Sequence, residues 1–68
     1  MYTTTNFKTK KQLKDAVKRG ERVTLFSPGP FRAPQLDGTE YVEGPHYPEP
    51  HRWYAAVVVR NGIVVEVK

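Results

Sequence analysis

The chain has 68 residues, no cysteine and a formal net charge of +4. That length suits one domain, and the absence of thiols excludes disulfides and the thiolate-based zinc clusters on which many small domains rely. Burying only about 60% of its unfolded surface, such a chain has a small core and marginal stability. Its longest apolar run is residues 53–59, against the roughly 20 residues a membrane span needs. The opening Met1-Tyr2-Thr3-Thr4-Thr5 lacks the charged-then-apolar pattern of a secretory signal. The expectation is a soluble, cytoplasmic protein that does not engage a membrane.

The first element in chain order is a helix. Thr9 can cap it, and Gln12 stands three residues later, as a capping box requires. The pattern continues through Arg19, and Gly20 supplies the left-handed residue after the end. Leu13, Ala16 and Val17 fall within one arc of about 100°, with Lys10, Lys11, Lys14 and Lys18 on the adjoining arc. Asp15 is spaced to pair with Lys11 and Arg19. So short a helix does not hold by itself in water and needs a sheet to lie on. Charge is concentrated here. Residues 1–22 carry seven basic side chains against two acidic ones, whereas residues 23–68 carry four against five. One basic face follows, suited to phosphates or to an acidic protein, although propensity and solubility also favour lysine on a solvated helix.

Residues 22–26 read as a first strand, with residues 2–6 as an additional N-terminal one. Ser27-Pro28-Gly29-Pro30 ends the first, since closely spaced prolines cannot feed a ladder. Asp37-Gly38 marks a turn, residues 39–43 a short second strand, and residues 44–51 a loop stiffened by Pro45, Pro48 and Pro50. Residues 52–60 and 63–68 are β-branched runs joined by Asn61-Gly62, the signature of a tight hairpin. Plain alternation pairs 60 with 63, 58 with 65 and 56 with 67. It gathers Tyr54, Ala56, Val58, Ile63, Val65 and Val67 on an uncharged face, which is therefore assigned to the core. The opposite face carries Trp53, Ala55, Val57, Val59 and Val64 with Glu66 and Lys68. It is more apolar than a solvent face ordinarily is, so cover is expected from the proline loops, the N-terminal arm or a second copy of the chain. The fold class expected is α+β: one N-terminal helix packed on a three- to four-stranded, mainly antiparallel sheet that ends in a β-hairpin.

Residues 43–54 hold both histidines, two carboxylates, an arginine and three aromatic rings. A metal site there would have only His46, His51 and Glu49, too few ligands on a proline-broken backbone. Hydrolytic chemistry would have Ser27, the one serine, in front of a proline, or a carboxylate pair such as Glu43 and Glu49. So short a chain has little room for an enclosed pocket, and the expectation is no enzyme, no metal and no cofactor. Two binding readings remain. A protein partner would meet Trp, Tyr and Arg anchors held on proline-rigid loops, and the residues assigned to it are Phe31, Arg32, His46, Tyr47, His51, Arg52 and Trp53. This reading is preferred. The alternative is nucleic acid, with Lys10, Lys11, Lys14 and Lys18 on phosphates and Trp53, Tyr47 and Tyr54 available to stack bases. Self-assembly through the second sheet face is a third reading. If the two proline-rich loops lie at one end of the sheet, they form a composite rim carrying Arg32 and Arg52.

The run Glu43-Gly44-Pro45-His46-Tyr47-Pro48-Glu49-Pro50-His51-Arg52-Trp53-Tyr54-Ala55, followed by the valine hairpin, resembles small uncharacterised proteins encoded by tailed bacteriophages. The resemblance covers the helix and everything after it. It implies life in the cytoplasm of an infected bacterium and a non-enzymatic role in binding host or phage protein or nucleic acid, and it assigns no residue a role.

Overall fold

A computed structural model describes residues 1–29 and 32–68. The elements are β1 (Tyr2–Thr3), α1 (Lys10–Lys18), β2 (Leu25–Phe26), β3 (Gly38–Gly44), β4 (Trp53–Arg60) and β5 (Ile63–Val67). The α+β class holds, but the strands form two antiparallel sheets, β1-β2 and β3-β4-β5, rather than one. The two sheets touch at both margins. Val64 N–H donates to the Val23 carbonyl (2.8 Å), and Glu43 N–H donates to the Met1 carbonyl (3.1 Å). The five strands thus curl into a partial ring around the core.

The helix follows from its termini. Thr9 Oγ1 accepts from Gln12 N–H (3.1 Å), and the Gln12 side chain reaches back to Lys8 N–H (2.8 Å). At the other end Gly20 has φ +79°, with Gly20 N–H on the Val17 carbonyl and Glu21 N–H on the Ala16 carbonyl. This double bond pattern is a Schellman motif, which satisfies carbonyls that would otherwise lack partners. Leu13 and Ala16 are fully buried against β4 and β5, with Val17 at the margin. Asp15 pairs with Lys11 (2.9 Å), and the Lys11 hydrogen bond lowers its carboxyl pKa. Arg19 does not join them; its Nε donates to Glu21 (2.7 Å).

The hairpin turns at Asn61-Gly62, with φ of +51° and +76°, the left-handed pair that a two-residue loop matching strand twist requires. Arg60 pairs with Ile63 and Val59 with Val64, but the next pairs are Val58 with Glu66 and Val57 with Val67. A bulge inserts Val65 and moves the rest of β5 by one residue. The bulge overturns the expected face assignment. Under plain alternation Glu66 shares a face with Val64 and makes it look solvent-facing. With the bulge, Glu66 lies beside Val58 on the outer face, while Val64 and Val67 both point inward. The core side of β4 is therefore Trp53, Ala55, Val57 and Val59, all buried, and Tyr54 is 64% exposed. Phe7, Val23 and Val42 complete the cluster. The cover expected over Trp53 and its neighbours is supplied within the chain, by α1, the N-terminal arm and β3.

Candidate functional site

The eight-residue connection from β3 to β4, residues 45–52, is fastened to β1 and the segment after it. His46 Nε2 donates to the Thr3 carbonyl (2.7 Å), and His46 N–H to Asn6 Oδ1 (2.9 Å). The Tyr2 hydroxyl accepts from Tyr47 N–H (3.2 Å) and lies 2.7 Å from His51 Nε2, which makes that imidazole nitrogen its natural acceptor. The Tyr2 ring stacks on His46 at 4.8 Å, and Phe26 and His51 meet this pair edge-on. Lys8 pairs with Glu49 (3.2 Å). The groups gathered by sequence as metal ligands, His46, His51 and Glu49, each have a different partner. Among the described residues no three His, Asp or Glu side chains are placed to hold a metal ion.

Trp53 is 8% exposed. Its indole lies flat on Gly44, so close that a Cβ there would collide with the ring, and its Nε1 donates to the Phe7 carbonyl (3.1 Å). The expectation of Trp53 as a surface anchor is thereby corrected: it is the core's largest ring, and Gly44 is the residue that lets it in. Arg32 leaves the His/Pro loop altogether. It forms a two-pronged bond to Glu40, both contacts 2.9 Å, and Gln35 N–H adds a third at 2.8 Å. Glu40 is 2% exposed on the inner side of β3. The Arg32 hydrogen bonds outweigh burial and hold its carboxyl at about 2, against an ordinary 4.5. Residues 35–37 lie at the β4–β5 turn, where Gly62 N–H donates to the Leu36 carbonyl (2.9 Å) and Asn61 N–H to Asp37 (3.2 Å). The loop after β2 thus starts at the histidine end, with Phe26 against His46, and finishes at the hairpin end. The composite rim carrying both Arg32 and Arg52 does not form. Phe31, also assigned to it, lies outside the described residues.

Of the loop residues singled out, Tyr47 (82% exposed), Arg52 and His51 remain at the surface. A second exposed surface lies on the outer face of β3-β4-β5. Tyr41 (72% exposed) pairs with Ala56, and Glu43 pairs with Tyr54. The two tyrosines are thus diagonal neighbours, a separation of about 7–8 Å that aromatic side chains can span. They line a depression of about 350 Å³ with Ala56, Glu43 and Lys10. Lys10 reaches it where β4 lacks a neighbour on that side: β5 pairs with β4 from Val57 onward and Lys68 N–H donates to the Ala56 carbonyl (2.9 Å), which leaves residues 53–55 open. One and two helical turns further on, Lys14 and Lys18 line a groove of about 240 Å³ with Val65, Glu66 and Val67. The bulge that flips β5 is what puts Val65 and Glu66 there. Lys11 is paired with Asp15, while Lys10, Lys14 and Lys18 form no ion pair among the described residues.

Tyr41 escaped the sequence reading because nothing local specifies the β3–β4 register: the loop between these strands is long and its course depends on Tyr2. Glu40 escaped because a carboxylate in a strand looks like an ordinary solvent-facing residue until its arginine is known. Compared with protein-family models, curated proteins and solved structures, the chain matches none. No helix is long and apolar enough to cross a membrane among the described residues.

Proposed function

We propose that this chain is a small non-enzymatic binding protein whose ligand is nucleic acid, held electrostatically by the lysine ridge of α1. The observation that carries this reading is the position of Lys10, Lys14 and Lys18. They recur every turn, about 6 Å apart along the helix axis, form no ion pair among the described residues, and border the two depressions on the sheet side of the helix. The non-enzymatic part is supported by how the polar groups are used: both histidines, Tyr2 and Glu40 serve hydrogen bonds that hold loops in place. Three phosphate contacts on a single strand predict a salt slope near −2 and a loss of about 20-fold in affinity between about 50 and 200 mM salt. Fluorescence anisotropy of labelled oligonucleotides at those two salt levels tests this. Replacing Lys10, Lys14 and Lys18 together by Ala should abolish the salt dependence, and absence of binding at the lower salt would refute the reading.

A protein partner of host or phage origin is the second reading, supported by Tyr47, which stands exposed on a loop braced at His46 and Glu49. A partner held this way should be lost from Tyr47→Ala and from Arg52→Ala and retained by the triple lysine variant.

A further inference from the structure

We infer that the outer sheet face beside the lysine ridge is a stacking platform that selects single-stranded over duplex nucleic acid, with bases on Tyr41 and Tyr54 and phosphates on Lys10, Lys14 and Lys18. The inference rests on the nucleic-acid reading above and deepens it.

Three observations lead there. Tyr41 and Tyr54 are the two large aromatic side chains standing on the outer face of β3 and β4, and each is more than half exposed. A fold with so small a core has a strong reason to bury such rings, and it buries Tyr2, Phe7 and Trp53. Ala56, directly across from Tyr41, keeps the space beside the rings open, so a planar group has room against them. Lys10 shares that depression with both tyrosines, which places a cation beside the aromatic faces. Lys14 and Lys18 continue the positive charge along β5, so the basic track and the aromatic patch run side by side. Charge on one flank and exposed rings on the other match an unpaired strand, whose bases turn one way and phosphates the other. A duplex keeps its bases stacked on one another and has no free face to offer the tyrosines.

Two carboxylates lie along the track. Glu43 is drawn off by the Met1 nitrogen (3.0 Å). Glu66 shares the Lys14–Lys18 groove and opposes a phosphate there, so Glu66→Gln should tighten binding.

The test measures anisotropy of labelled oligo-dT and oligo-U of about 15 nucleotides, and of a duplex of the same length, at about 50 mM salt. Single strands, DNA or RNA, should bind at least tenfold more tightly than the duplex. Tyr41→Ala and Tyr54→Ala should each weaken single-strand binding about tenfold, as loss of one base–aromatic stack does, without changing the salt slope. Tyr41→Phe and Tyr54→Phe should retain it, and duplex binding should not respond. Equal affinity for duplex and single strand, with the alanine variants silent, would overturn the platform and leave the lysine reading standing. Failure of every probe to bind would overturn both. Both tyrosines are exposed, so their variants keep the fold, which circular dichroism verifies.

Discussion

The two faces of β4 are built from nearly the same letters and do opposite work. Trp53, Ala55, Val57 and Val59 face inward and are sealed by Leu13, Ala16, Phe7 and Val42. Tyr54, Ala56 and Val58 face outward beside Tyr41. Apolar character alone does not distinguish them. What does is which side α1 and the N-terminal arm cover, and a bulge at one residue of the neighbouring strand keeps Glu66 off that side. The contrast also separates stability from recognition: changes on the inner face should unfold the chain, and changes on the outer face should leave it folded and alter only what it binds.

The largest expected effect is on the inner face. Trp53→Ala removes the core's largest ring and should cost about 3–5 kcal/mol, enough to leave a domain of this size mostly unfolded. Gly44→Ala should act in the same direction, because the new methyl group meets the indole. Loss of the cooperative urea transition by circular dichroism checks both, and a folded Trp53→Ala protein would contradict the assignment of this face.

Next comes the Arg32–Glu40 pair, which closes the hairpin end of the core. Arg32→Ala strands a buried carboxylate. With the guanidinium itself more than half exposed, solvent screening reduces the cost, which should be smaller than that of Trp53→Ala. The pH dependence has a definite sign. Glu40 is more acidic folded than unfolded, so its contribution is complete above the ordinary carboxylate value of 4.5 and disappears as pH falls toward about 2. Wild-type stability, followed by Trp53 fluorescence in urea, should fall through that window, and Glu40→Gln should be less stable at neutral pH and flatter below 4.5. A smaller loss, about 1 kcal/mol, is expected from Thr9→Ala, which removes the helix cap. The smallest effect on stability belongs to the outer face: Tyr54→Ala should stay within about 0.5 kcal/mol of wild type while weakening single-strand binding about tenfold.

The two proline-rich loops repeat the lesson. Both read as rigid presenters of aromatic and basic anchors. In the structure one is laced to β1 through Tyr2, His46 and His51, and the other runs from the histidine end to the hairpin end and clamps Glu40. Residue types suited to gripping a partner are here used largely to grip the chain itself. Tyr47 and Arg52 stay at the surface, whereas Trp53 and Arg32 are engaged within the fold.

Local chemistry in the sequence was sufficient for α1 and both of its caps, for the Asn61-Gly62 reversal, for the strands at residues 38–44 and 53–67 to within a residue or so, and for the basic character of one helix flank. Each of these depends on contacts a few residues apart, which the order of side chains specifies directly. Tertiary structure alone decided which face of the hairpin became core, that Arg32 meets Glu40, that Tyr2 ties down the histidines, and that Lys10 stands beside Tyr41 and Tyr54. These pairings join residues far apart in the chain. A single extra residue in β5 reverses the inside and outside of everything after it, because side chains alternate with a period of two and no local signal marks where the count slips.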